Sequence, residues 1–536
     1  MIKRNTKYHD HLAAAKAIAY LLMLMGAVIL VPLLLLLSPH YADERQCATW
    51  FIFPGVLAIF AGYIIKFLTS GTRIRELKKF YGSVIVLEIW IVAVLLGAVP
   101  FMMSGQFNFT QAIFETMSGL TTTGFTLFPF QYAAHLQLLI LYRSLLHLVG
   151  GVGLVLVLTT VLSNAYGMQI FSAEGHTDRL TPSPLHSART ILYIYVGFIL
   201  GGTIAFVILG MSWFDAFNYS VSAVATGGFA PHADNIGHFH TIFPEWKAVG
   251  IDIVAMVLML LGATNFMASM YFLRGRWRGF FKHSEVICTF ALLAVFTPIV
   301  IADYFTHHIA TTVHQNIVSA FFITISTIST TGLTTVSNNL NSLSFGLVPI
   351  VVLMMIGGNS DSTAGGIKAS RMALALKSLI WDVQDSLSSS KSVKAHQINR
   401  FGSKVSVSDK ERSQNYTYIF MYLIVIFVGT ICLMACGYDF KDSLVEFASA
   451  LGTIGISIGV CTRATPTFGL WVVIIGMLIA RLEIYIFIFS GARIQGDISE
   501  YHRYRTIAER DRYDLEEARK KHPHRFDKVH KETKNQ

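Results

Sequence analysis

Apolar runs of about twenty residues recur along the chain as far as residue 492, and crossing the hydrocarbon core of a bilayer as a helix takes roughly 20 residues. Lipid offers the backbone no hydrogen-bond partners, so such runs must satisfy themselves as helices. Ten candidate spans follow, at 12–38, 49–69, 80–100, 134–162, 188–210, 246–272, 284–304, 344–378, 415–436 and 467–492. With 53% of its 536 residues hydrophobic and 14% charged, the chain carries more apolar surface than a soluble fold of this length can bury. The first run follows a basic start, and no small-residue cleavage signature stands near Pro39 or His40, so it is expected to be a retained span. The predicted fold class is an all-α polytopic membrane protein.

The formal net charge is +10, yet the lysines and arginines lie in short segments between spans, at 1–16, 72–79, 274–282, 391–412 and in the tail from Arg493. That pattern sets membrane orientation, with both termini cytoplasmic, and is not a nucleic-acid surface. Five scattered cysteines have neither metal-site nor disulfide spacing, and His147, His232, His238 and His240 have no ligand-like spacing. No phosphate-binding loop, dinucleotide fingerprint or nucleophile elbow occurs, so neither an enzyme nor a bound cofactor is expected.

Between spans lie four segments too short and too rich in Gly, Ser and Thr to cross the membrane: 107–125 (FNFTQAIFETMSGLTTTGF), 213–229 (WFDAFNYSVSAVATGGF), 313–333 (VHQNIVSAFFITISTISTTGL) and 440–456 (FKDSLVEFASALGTIGI). Each reads as a short amphipathic helix, a Ser/Thr-rich strand and a glycine, an internal repeat of span, re-entrant loop and span. The organisation expected is an N-terminal hairpin (1–70), repeats at 71–165, 166–275, 276–385 and 415–495, a polar linker at 386–414 and a charged tail at 496–536. The tail is either a solvated helix or a disordered segment.

A dehydrated monovalent cation needs a ring of oxygens, which backbone carbonyls supply when several segments converge on one axis. Gly124, Gly228, Gly332 and Gly455 would let the backbone aim carbonyls at that axis. Thr122 and Thr123, Thr226 and Gly227, Thr330 and Thr331, and Thr453 and Ile454 would form the extended strand beneath. Asp215, Glu115 and Asp442 in the short helices have two readings, as helix caps or as charges concentrating cations at the mouth.

Taken together, SGLTTTGFT (118–126), SAVATGGFAPH (222–232), STISTTGLTT (326–335) and SALGTIGISIG (449–459) resemble the four pore loops of the Trk/Ktr superfamily of bacterial potassium-uptake proteins. The resemblance covers nearly the whole membrane region and leaves open which branch. It implies a pseudo-fourfold pore in a bacterial inner membrane, K⁺ as the transported ion, a homodimer with one pore per subunit, and a cytoplasmic regulatory ring of nucleotide-binding domains.

GGNSDSTAGGIKASR (357–371) resembles the broken second helix of the family's third unit, which implies a gate built on Gly357, Gly358, Asp361, Gly365, Gly366 and Lys368. Two glycine pairs inside an apolar run also suit a helix interrupted at mid-membrane. Asp361 stands where the family has a small residue; Lys368 belongs either to the gate or to the interface as a snorkelling lysine. Arg481 and Glu483 interrupt the last apolar run, and ionisable residues at that depth face protein or water. The resemblance implies that Arg481 projects into the path as a barrier; an ion pair with Glu483 or another carboxylate is the alternative. K⁺ coupled to H⁺ or Na⁺ in a symporter is the alternative function, with Asp361 or Glu483 as the titrating group.

Overall fold

The computed structural model describes residues 2–70, 81–153, 184–309, 312–336, 339–387 and 396–521. Eight helices are long and apolar enough to span a membrane: Leu12–Leu37, Pro39–Leu68, Tyr81–Met103, Arg189–Ile208, Glu245–Ala263, Ser284–Thr306, Asp409–Met434 and Thr467–Gly496. The other two expected spans are present as shorter apolar helices, Gln137–Val152 and Leu347–Ile356. The basic connector at 72–79 and the end of the 134–162 run lie outside the described residues.

The N-terminal pair packs through small residues. A side chain at Gly26 would overlap the carbonyl of Gly55, and one at Gly62 the carbonyl of Ala19, so the two backbones approach as closely as membrane helices allow. This hairpin lies against the first repeat, where Met25, Ile85, Trp90 and Phe101 share one core.

Each repeat begins with a span and re-enters through a short helix: Phe109–Leu120, Trp213–Val224, Val313–Ile328 and Phe440–Gly452. Local chemistry sets three of these starts. Asn108 accepts from Gln111 N at 2.9 Å while Gln111 Oε1 accepts from Asn108 N at 3.1 Å, a reciprocal cap. Ser212 accepts from Asp215 N at 3.0 Å and Thr312 from Gln315 N at 3.2 Å. Asp215 also accepts from Ser212 Oγ, so it belongs to a cap. A twelve-residue helix such as the first is about 18 Å long, roughly half the hydrocarbon thickness. The apex of each loop therefore stops at membrane depth.

Among the described residues the second helix of each of the last three repeats is interrupted, and that of the first ends where they end. Gln137–Val152 ends at Gly153 (φ 96°). Glu245–Ala263 stops at Thr264, and Asn265 caps a new helix, Phe266–Leu273, by accepting from Met267 N at 2.8 Å. Leu347–Ile356 is separated from Ala369–Ser386 by residues 357–368. The last helix, Thr467–Lys521, breaks at Glu483 (φ 59°) and then runs on as one helix into the charged tail. Of the three breaks, only the one at 357–368 is legible as a glycine-rich insertion.

The linker at 386–414 holds strands Gln397–Arg400 and Ser403–Ser406, an antiparallel hairpin that polar composition does not reveal. Phe401 at its turn stacks on Tyr271 with ring centroids 5.5 Å apart and lies 4.2 Å from His283, tying the linker to the connection between the second and third repeats.

At the face from which the short helices enter, His240 Nε2 lies 2.9 Å from Asp252 Oδ2. That hydrogen bond, together with the charges of Asp252 and Glu245, outweighs burial and raises the His240 pKa above its ordinary 6.5. A raised pKa contributes stability that is fully present below the unfolded value and is lost as pH rises through the folded one. Thermal melts of His240→Gln are expected to lose the part of the wild-type decline that begins at about pH 6.5. An unchanged pH profile would exclude the pair.

Candidate functional site: a ring of four loops over a broken helix

The four short helices end alike. Each ends at a threonine in the left-handed region, one residue past the C-cap in the first three and the cap itself in the fourth: Thr122, Thr226, Thr330 and Thr453, with φ of 56°, 51°, 56° and 53°. Their amides bond to the carbonyls of Gly119, Ala223, Thr327 and Ala450 at 3.0–3.2 Å. The next amides, of Thr123, Gly227, Thr331 and Ile454, reach back to Ser118, Ser222, Ser326 and Ser449 at 2.8–2.9 Å. This paired closure normally takes glycine at the left-handed position. An L residue there costs about 1–2 kcal/mol, and a β-branched one is an outlier. Meeting it four times identifies a backbone shape that the surroundings enforce.

The loop glycines have φ of 90° (Gly124), 83° (Gly228), 79° (Gly332) and 78° (Gly455). Left-handed threonine, ordinary residue and left-handed glycine alternate. Such alternation turns successive peptide groups to one side, as in anion-binding nests, whereas a strand sends them to opposite sides. The expected extended strand is therefore absent, and the reason is carbonyl direction.

The loops also close on one another. A Cβ on Gly124 would overlap the carbonyl oxygen of Gly227; one on Gly228, that of Thr331; one on Gly332, that of Ile454; and one on Gly455, that of Thr123. Each loop meets the next in chain order and the fourth meets the first, so the carbonyls one residue before the glycines form a cycle. The threonines and Ile454 are fully buried. Four helix C-termini abut the cycle, each carrying a partial negative charge of about half an electron, which favours a cation on the axis.

Residues 357–368 lie directly against this ring. Gly365 N donates to Thr330 Oγ1 at 2.9 Å, a Cβ on Gly365 would strike Thr453 Oγ1, and Thr226 Oγ1 donates to Thr363 Oγ1 at 3.1 Å. Gly357 (φ 71°) and Gly366 (φ 81°) pack backbone to backbone, which leaves no room for side chains. Gly358 rests on Ala263, and Asn359 N donates to the Ala263 carbonyl at 3.0 Å. Asp361 (φ 48°) accepts from Phe266 N through its carbonyl at 3.1 Å, and Lys368 Nζ donates to the Ala364 carbonyl.

Arg481 ties this segment to two other repeats. One guanidinium nitrogen donates to the Thr363 carbonyl at 3.1 Å and another to the carbonyl of Gly150. Glu483 instead takes Arg371 at 2.8 Å, with the Arg371 guanidinium 3.8 Å above the Tyr418 ring. Glu483, where the backbone turns (φ 59°), is thus engaged by a residue of the third repeat, a partner that its neighbours in sequence do not reveal.

A profile of the TrkH cation transport protein family matches residues 51–500. The chain belongs to that family. It is 28% identical over 468 residues to an uncharacterized cation transporter of Methanocaldococcus jannaschii, covering 87% of this chain and 92% of that one. It is 28% identical to the Trk system potassium uptake protein TrkH of Halomonas elongata, covering 87% and 95%, and 26% identical to that of Escherichia coli K12, covering 88% and 96%. The crystal structure of the potassium transporter TrkH from Vibrio parahaemolyticus superposes with a TM-score of 0.76 over 89% of this chain and 98% of that one, at 24% identity. That likeness shows the TrkH fold.

Sequence reasoning missed the supports behind this TrkH-family ring. Glu115 stands nine residues before Gly124 and Glu446 nine before Gly455, a shared register that was the available signal. Glu115, fully buried, pairs with Arg143 at 2.8 Å and accepts from Thr126 Oγ1 and Leu127 N at 2.8 and 2.9 Å. Glu446 accepts from Ser457 Oγ, Ile458 N and Cys461 N at 2.7–3.0 Å. Both carboxylates thus hold the chain that leaves the ring, so Glu115 is neither a cap nor a mouth charge. Arg143 also lies 4.0 Å from the Phe229 ring centroid of the second loop, joining two repeats.

Proposed function

We propose that this chain carries K⁺ across a bacterial inner membrane through the ring formed by Thr122, Thr123 and Gly124, Thr226, Gly227 and Gly228, Thr330, Thr331 and Gly332, and Thr453, Ile454 and Gly455. The observation that carries this reading is the cyclic packing of each loop glycine on the carbonyl of the next loop. A closed ring of carbonyls can replace the water shell of a monovalent cation. The potassium uptake relatives indicate K⁺ as that cation.

Residues 357–368 act as the gate and Arg481 as its latch. The segment lies against three of the four ring threonines, and the Arg481 charge stands beside it. Both termini are cytoplasmic, the functional unit is a homodimer, and a cytoplasmic nucleotide-binding ring governs the gate, docking on the basic connectors and the helical tail.

The test is current in reconstituted bilayers. Reversal potentials should follow the K⁺ gradient and ignore imposed pH and Na⁺ gradients; a shift with either would establish coupled transport instead. Arg481→Gln is expected to raise K⁺ flux by roughly tenfold or more, since a like charge at an effective dielectric near 20 is worth about 4 kcal/mol at 4 Å and still about 1.4 kcal/mol at three times that separation. Unchanged or lower flux, with folding intact, would remove Arg481 from the gate.

A further inference from the structure

A cavity of about 210 Å³ lies between the second and third repeats. Its lining is almost wholly apolar, with Leu260 and Val286 on its sides, Ile328 beside the third loop, and Gly358 and Asn359 of the proposed gate. Phe281 also lines it and is exposed, so the cavity reaches the lipid-facing surface. An apolar cavity of about 150 Å³ admits a six-carbon ring, so this one accommodates a stretch of hydrocarbon chain but no headgroup.

Phe281 ends a short helix, Trp277–Phe281, set among Arg274, Arg276, Arg278 and Lys282. All four basic side chains and Trp277 are exposed, and none of the four has an ion-pair partner among the described residues. The segment joins two spans at the face opposite the entry of the short helices, where an indole sits at headgroup level and clustered basic residues attract anionic lipid. The hairpin turn at Phe401 packs behind it, so the basic groups are displayed from a fixed base.

We propose that an anionic phospholipid binds here, with its phosphate and headgroup on Arg274, Arg276, Arg278 and Lys282 and one acyl chain in the cavity against Gly358 and Asn359. Thr289 Oγ1 donates to Asn359 Oδ1 at 2.9 Å from the cavity side, and Asn359 N is held by Ala263. A chain in the cavity therefore braces the anchored end of the 357–368 segment and favours its position against the ring. This coupling rests on the proposed gate; the binding itself does not.

Full-length protein is examined by native mass spectrometry with dioleoylphosphatidylglycerol or dioleoylphosphatidylcholine, and by K⁺ flux in vesicles of either composition. Phosphatidylglycerol should be retained about tenfold more strongly, given the contribution of clustered basic residues at a membrane surface. Replacing the four basic residues by glutamine should abolish that preference, and Leu260→Trp, which fills the cavity, should weaken retention while leaving the basic cluster intact. Basal flux should be severalfold higher in phosphatidylcholine, with the difference lost in both variants. Equal retention of the two lipids, or a preference surviving in the glutamine variant, overturns the site. So does loss of an acidic partner protein from that variant with lipid retention unchanged, which would make the cluster a protein-docking surface. Selective retention with no K⁺ flux in any vesicle would support the lipid site and sink the conduction reading instead.

Discussion

Gly332→Ala is expected to cut K⁺ flux by roughly one to two orders of magnitude while leaving the protein folded in the membrane. Gly332 has φ 79°, and its Cβ would occupy the space of the Ile454 carbonyl oxygen. Strain of this kind costs about 1–3 kcal/mol, and each 1.4 kcal/mol on the barrier is a factor of ten. The methyl group must displace either its own loop or the Ile454 carbonyl, and both are members of the cycle. K⁺ or Rb⁺ uptake into proteoliposomes reads the loss, with thermal melting as the control for folding. Wild-type uptake and unaltered K⁺ over Na⁺ preference in this variant would remove the glycine cycle from the conduction path. Gly437→Ala is the matched control: its φ of 95° carries similar backbone strain, but no atom lies near its added Cβ and it is remote from the ring. It should leave selectivity unchanged.

The second large effect is on stability. Arg143→Ala should destabilise the protein by about 3–5 kcal/mol, because the fully buried Glu115 carboxylate loses its partner in a low-dielectric site. The Arg143 guanidinium also donates to Thr126 Oγ1 at 2.9 Å and to the Ala230 carbonyl at 3.3 Å, so its loss detaches the exit of the first loop from that of the second. Adding Glu115→Gln to Arg143→Ala should restore part of the loss, since the uncompensated charge is gone. A double-mutant cycle on thermal stability in detergent measures the coupling. Additive effects of the two substitutions would mean that the pair contributes nothing beyond its separate contacts.

Much of this molecule is legible without coordinates because the membrane simplifies the problem. Spans announce themselves by length and hydropathy, since lipid allows the backbone no partner outside its own helix. The start of a re-entrant helix is likewise local, with Asn108, Ser212 and Thr312 each three residues before a polar partner, although the cap reading of the sequence fell on Asp215, Glu115 and Asp442. Glycine at the apex of each loop is readable for a similar reason. What failed to show was the backbone between cap and glycine. Threonine favours extended backbone, so Thr122 and its counterparts read as strand, and only the surroundings hold them left-handed.

The breaks in the second helices divide the same way. Residues 357–368 carry two glycine pairs and betray themselves, while the stop at Thr264 and the turn at Glu483 sit in ordinary helical sequence. Phe266 N, freed by the first of these, is satisfied by the carbonyl of Asp361, a partner almost a hundred residues away. Arg371 likewise meets Glu483 across two repeats. Pairings of this kind leave no periodic trace, since neither partner's local pattern depends on the other.

By itself, then, the sequence determined a multi-span helical membrane protein of four repeats, each with a short amphipathic helix and a glycine-centred loop, because period and length are properties of neighbouring residues. Only the tertiary structure decided that the loops close in chain order on one another's carbonyls, that Arg481 reaches Thr363 and Gly150, that Glu483 takes Arg371, and that Arg143 with Glu115 supports the ring from behind. Those outcomes depend on where distant segments meet in three dimensions, and the energy of a buried charge or carbonyl is set by what stands opposite it.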